Sequence, residues 1–222
     1  MSDSNRSHPM TVIMMGIQGS GKGTQAQLLK DRLHFEVLDA GQLLRNKSQE
    51  QSEVGQKMRD ILASGSLIPN EITAPIVLDA LIKLDNNADL IIDGFPRTKD
   101  NADSLEDMLL TSGRKASASV IHITLDEQAA IERLSKRKVC SACGKIFGST
   151  DLDRCDNCGG ELIKRSDSSE EATKKRIQWH WTQVNPIIEQ YRTQYPFFDI
   201  NGSQPVEAVY ADIIHVLGLE RA

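Results

Sequence analysis

The chain has 222 residues, 39% apolar and 26% charged, with a net charge of −5. That size and composition fit one globular domain carrying insertions. The acidic balance excludes nucleic acid or an acidic membrane as a partner held by bulk electrostatics, so any anion site must come from local clusters of Arg and Lys.

Met1 to Pro9 are polar and lack an apolar h-region, so residues 1–9 read as a disordered tail and not as a signal peptide. No apolar run approaches the roughly 20 residues that span a membrane. A cytoplasmic protein is expected.

Thr11–Met15 reads as a buried strand, and Lys22 to Leu33 has a helical pattern. Between them lies Gly16-Ile17-Gln18-Gly19-Ser20-Gly21-Lys22-Gly23-Thr24. Strand, glycine-rich loop and helix together make a phosphate cradle. The glycines let successive N–H groups point at phosphate oxygens, and the helix adds the positive end of its dipole. Lys22 can reach the outer phosphates and is expected to face solvent when no ligand is present. Thr24 offers a hydroxyl near a magnesium ion. The generic pattern places Ser or Thr directly after the lysine, but Gly23 intervenes here, which marks a subtype.

Four more strand candidates follow: Phe35–Leu38, Leu90–Ile92, Val120–Leu125 and Phe197–Ile200. Helical patterns separate them, which argues for βαβ units and a parallel sheet. Sites in such sheets lie beyond the carboxyl ends of the strands, where the loop at 16–24 and Asp93 both fall. Ala40 to Ile68 is a first insertion with too few large residues for a core of its own. Asn70 is placed to cap the helix after it. Asp126 caps a helix running to Arg137. Val139 to Ser169 has no helical period and reads as a second insertion. A long helix from Glu170 to Gln194 is expected to break at Pro186, and a last one covers Pro205 to Leu217. Trp179 and Trp181 read as packing or surface residues.

All four cysteines lie in the second insertion, as Cys140-x2-Cys143, eleven residues, then Cys155-x2-Cys158. Four thiolates satisfy tetrahedral zinc with no open position, so the site is structural. Gly144 and Gly159 are expected to turn backbone N–H groups toward the thiolates. Two disulfides, or a redox pair, are the competing readings, and a cytoplasmic chain disfavours the first. Some thirty residues cannot bury enough apolar surface to order themselves, and a metal supplies what that core lacks.

The loop Gly16–Thr24, the segment Asp93-Gly94-Phe95-Pro96-Arg97-Thr98 and the cysteine-bearing insertion occur together. In this the chain resembles the adenylate kinase family of nucleoside monophosphate kinases, in its bacterial long-lid, zinc-binding form. The likeness covers about residues 10 to 218. It implies an α/β fold, a P-loop parallel five-stranded sheet flanked by helices, with two mobile insertions. The core is then 10–39, 69–137 and 169–222. A monophosphate-binding insertion is 40–68 and a zinc-bearing lid 138–168.

The resemblance implies that Gly19, Ser20, Gly21, Lys22, Gly23 and Thr24 hold the ATP phosphates, with Arg133 against the base of ATP. Arg45 and Arg97 grip the acceptor's α-phosphate. Arg137, Arg165 and Arg176 surround the transferring phosphoryl group. Ala40, Gly94 and Asn101 complete the monophosphate pocket, and Asp93 holds Mg2+ through water. ATP and a nucleoside monophosphate are the implied partners, with no nucleic acid and no membrane, for a monomer. Phosphoryl transfer spreads charge over oxygens, and planar guanidinium groups grip those oxygens bidentately.

Several positions depart from the family pattern. Gln18 replaces a proline, Gln42 an aspartate that helps hold magnesium waters, Lys138 an arginine and Ser168 an aspartate. Asn101 stands where adenylate kinases usually carry glutamine, and Ala40 where they carry Thr or Ser. Both residues resemble the UMP/CMP kinase branch. AMP is the expected acceptor, with UMP or CMP the alternative. A zinc-bearing, non-catalytic P-loop adaptor is a second class of reading, but it has no need of the second phosphate pocket that Asp93–Thr98 and Arg45 imply.

Overall fold

The computed structural model describes residues 9–148, 150, 152–164 and 170–220. Residues 1–8 of the expected tail and residues 165–169, with Arg165 and Ser168, lie outside the described residues. Five strands form one parallel sheet: β1 (Thr11–Met15), β2 (Glu36–Asp39), β3 (Leu90–Asp93), β4 (Ala118–Thr124) and, late in the chain, β8 (Phe197–Asn201). Their spatial order is β2-β3-β1-β4-β8. Ile13 sits opposite Ile92 on one side and Val120 on the other. β1 is buried at every position, as a central strand covered on both faces must be.

Alternation along the strands sorts the core into two layers. Ile13, Met15, Leu90, Ile92 and Val120 pack on one face with Leu105, Leu109, Ile188 and Tyr191. These come from α5 (Lys99–Thr111) and α8 (Asn185–Gln194), and α4 (Asn70–Ile82) adds Val77 and Leu81. Val12, Met14, Ile91, Ile121 and Ile123 pack on the other face. There they meet Leu29 of α1 (Lys22–Leu33) and Ile213 of α9 (Val206–Val216). Each such side chain, fully buried, contributes about 1.5–3 kcal/mol.

Both insertions have thin cores. The first holds α2 (Ala40–Ser48) and α3 (Glu53–Ala63), and Met58 is the large side chain that α3 buries. The second holds short antiparallel strands, β5 (Lys138–Cys140), β6 (Ile146–Phe147) and β7 (Leu162–Ile163), in the order β6-β5-β7. Cys140, Cys155, Phe147 and Leu162 are its buried cluster. Asp126 caps α6 (Glu127–Lys136), as its sequence signals: its carboxylate accepts from the N–H groups of Gln128 and Ala129.

Two helix ends differ from expectation. Asn70 is the first residue of α4, and Pro69 takes the cap position in extended conformation. The long helix breaks before Pro186 rather than at it. α7 (Glu170–Trp179) passes into one π-helical turn, His180–Val184, and α8 then starts with proline in its first turn. Proline lacks the N–H that would continue the α ladder, and the wider turn ahead of it absorbs that gap. Among the described residues, no helix is long and apolar enough to cross a membrane.

Candidate active site

The chain crosses from one side of β1 to the other between β3 and β4, which places a crevice at the carboxyl ends of β1 and β3. A cleft of about 910 Å³ opens there. The loop after β1 forms its floor, with Gly19, Ser20, Gly21, Lys22, Gly23 and Thr24 all on the wall. Gly16 has φ +136°, and a Cβ there would sit 2.3 Å from the Ile123 carbonyl oxygen. Only glycine lets the loop lie against β4 in this way.

Lys22 is half-buried on the cleft wall and does not extend into solvent. Its Nζ curls back to donate to the carbonyls of Gly16 at 2.7 Å and Ile17 at 2.9 Å. Burial lowers its pKa to about 8; Asp93 opposes the shift, and Arg97 and Arg137 add to it. Asp93 is 9% exposed at the end of β3. Burial raises its pKa to about 6, partly offset by Lys22 and reinforced by Asp39. Asp39 is its register partner on β2 and was not singled out from the sequence. It also caps α2, accepting from Gln42 N at 2.9 Å. These carboxylates offer the hard oxygen ligands that magnesium or its waters take, so the donor set fits that ion.

Arg45, Gly94, Arg97, Asn101, Arg133, Arg137 and Arg176 all line the same cleft. Arg97 Nε donates to the Gly94 carbonyl at 2.8 Å, which folds the guanidinium back over its own turn. Arg45 donates to Gln42 Oε1 at 2.9 Å and lies 3.9 Å from Asp39. Ala40 is set apart from this group: it is fully buried in the core and does not line the cleft. Trp179, read as a packing or surface residue, lies on the cleft wall. No periodicity distinguishes a helical tryptophan facing a core from one facing a cleft.

The small antiparallel sheet reaches the phosphate loop and α2 at the mouth of the cleft. A Cβ on Gly23 would stand 3.3 Å from Ile146 of the lid, and Gly144 of the lid approaches Gln42 of the first insertion. In the lid the four Sγ atoms lie within 4.8 Å of one another, and no disulfide joins them. The Cys140–Cys158 and Cys143–Cys155 sulfur separations are 3.4 and 3.6 Å. Zinc–sulfur bonds of about 2.3 Å set tetrahedral thiolates roughly 3.8 Å apart, so the residues fit zinc. The Lys145 N–H, followed by Cys158, lowers the Cys143 pKa to about 6. Gly144 and Gly159, both at positive φ, close turns onto the carbonyls of Cys140 and Cys155, and the N–H groups that follow them, of Lys145 and Gly160, turn to the Cys143 and Cys158 sulfurs.

A phosphate loop at the switch point of a parallel sheet, facing arginines across a cleft covered by two insertions, defines a P-loop phosphotransferase. The sequence model described as adenylate kinase matches residues 14–195. An adenylate kinase of Thermosipho melanesiensis is 34% identical over 213 residues, covering 94% of this chain and 99% of its own. That of Syntrophomonas wolfei is 37% identical over 209 residues, covering 92% and 97%. That of a Geobacillus species is 35% identical over 214 residues, covering 94% and 99%. The chain belongs to the adenylate kinase family.

Proposed function

We propose that this protein reversibly transfers the γ-phosphoryl group of ATP to AMP, giving two ADP. The reading rests most on one observation. The Lys22 loop and the Arg45–Arg97 pair line a single cleft, which supports a triphosphate site and a monophosphate site within one space. A regulator or adaptor needs only one.

Lys22 and the amides of Gly19 to Thr24 hold the ATP phosphates, with Arg133 beside the base. Arg45 and Arg97 take the acceptor's α-phosphate. Arg137 and Arg176 surround the moving group, joined by Arg165 from outside the described residues. Transfer then depends on alignment and on neutralising spread charge, with no strong base required. Asp93 holds magnesium through water, and the ion supplies charge neutralisation at the phosphates. The four cysteines hold a structural zinc. Segments 40–68 and 138–168 move over the core 10–39, 69–137 and 169–222, closing to exclude water. The protein works as a cytoplasmic monomer without nucleic acid or membrane. A second reading, a CMP or UMP acceptor, rests on the identity of residue 101, the shorter asparagine where the family usually carries glutamine.

Arg97→Ala tests the two-pocket reading. It is expected to lower kcat/KM for AMP at least a hundredfold and leave the KM for ATP within threefold. An equal rise in both KM values would contradict the assignment.

A further inference from the structure

Asn101 is 3% exposed yet lies on the wall of the cleft. Its amide is held at both ends. The backbone N–H of Arg97 donates to Asn101 Oδ1 at 3.2 Å. Asn101 Nδ2 donates to Asn70 Oδ1 at 2.7 Å, and Asn70 Nδ2 donates to Ser104 Oγ at 3.1 Å.

The direction of this chain is fixed by its first member. A backbone N–H can only donate, so Asn101 must turn its oxygen to Arg97 and its nitrogen to Asn70. Asn70 must then present oxygen, which sends its own nitrogen to Ser104. Reversing the Asn101 amide would set its nitrogen against the Arg97 N–H and its oxygen against the Asn70 oxygen. One N–H and one lone pair of Asn101 stay unused by the chain.

We propose that Asn70 is a positioning residue for acceptor-base recognition: the Arg97 N–H sets the polarity of the Asn101 amide, and Asn70 holds that amide in place on the pocket wall. The inference rests on the proposed monophosphate pocket. Adenine presents an amino donor beside a ring-nitrogen acceptor. Uracil presents the reverse, an oxo acceptor beside a ring N–H. With the acceptor's phosphate anchored by arginines, an amide fixed in polarity matches one pattern and opposes the other. A site whose polar groups are left unpaired by the wrong partner discriminates strongly. On the proposed activity the matched pattern is that of adenine, so Asn70 supports AMP over UMP without needing to touch either.

The test is steady-state kinetics on the full chain with AMP and UMP, ATP held constant. Asn70→Leu is expected to raise the KM for AMP about tenfold. It should leave kcat, the KM for ATP and the KM for UMP within threefold. Asn70→Asp still accepts from Asn101 and should stay within threefold of wild type. Asn70→Leu combined with Asn101→Ala should be no worse than Asn101→Ala alone, because one residue acts through the other. Equal rises in the AMP and UMP KM values, or additive losses in the double variant, would overturn the proposal. So would an unchanged Asn70→Leu beside an impaired Asn101→Ala, and the pocket reading would then survive. If Asn101→Ala leaves the KM for AMP unchanged, the pocket reading fails and takes the relay with it. Should Asn70→Leu not fold, Ser104→Ala removes the far end of the chain, and the same narrowing of AMP over UMP is expected, or its absence overturns the relay.

Discussion

Lys22 and Asp93 share the floor of the cleft, and each is the strongest electrostatic support of the other against burial. Burial wins for both. The lysine is pulled down to about 8 and the aspartate pushed up to about 6. Two under-solvated charges thus stand where triphosphate and metal are proposed to bind. Function at such a site costs stability.

A pH dependence follows from Lys22. Its folded pKa lies below the ordinary lysine value of 10.5, so between about 8 and 10.5 the unfolded chain binds more protons. Wild-type stability therefore rises with pH across that window. Lys22→Met lacks this contribution. Its stability relative to wild type should fall by up to about 3 kcal/mol between pH 7 and pH 10.5. Urea denaturation at the two pH values measures it, and a constant gap would show that the ammonium is not desolvated. The same variant should lose at least a thousandfold in kcat.

The protein should hold about one zinc per chain. Chelation should unfold the lid first, since the lid's buried cluster is separate from the two layers that cover the sheet. Hydrogen exchange should then speed in 138–163 and stay slow in β1, β3 and β4. Metal analysis without zinc, with two disulfides by mass spectrometry, would sink the metal reading.

Gly65 ties the first insertion to α7. It has φ +70°, and a Cβ there would lie 2.9 Å from the Ala172 Cα. Ser66 beside it accepts from Lys175 Nζ at 2.8 Å. Gly65→Ala meets both a steric and a conformational penalty and should destabilise by about 1–3 kcal/mol. It should also raise the KM for AMP more than that for ATP. An unchanged melting temperature would show that this contact is not made in solution.

Much of this was legible in the sequence, for local reasons. β1 and α1 follow the sequence limits because a buried apolar run, a glycine loop and a helical period meet there without ambiguity. The residues of both proposed phosphate pockets stand in compact motifs, and most line one cleft. What was not legible depends on tertiary pairing. Asn70 before an apolar run reads as a cap, yet Pro69 takes that place and frees the amide for Asn101. The curl of Lys22 onto its own loop has no sequence signal. The π-turn before Pro186 is a response to a missing donor, and the sequence shows the proline but not where the strain is taken up.

Everything proposed for the cleft turns on transfer of a phosphoryl group between two nucleotides. The direct measurement is kcat/KM for AMP, CMP and UMP with purified protein, magnesium and constant ATP, followed by the diphosphate formed. ADP should form from AMP, with AMP preferred over CMP and UMP. No transfer to any of the three would contradict it, and a tenfold preference for CMP or UMP would overturn the choice of acceptor.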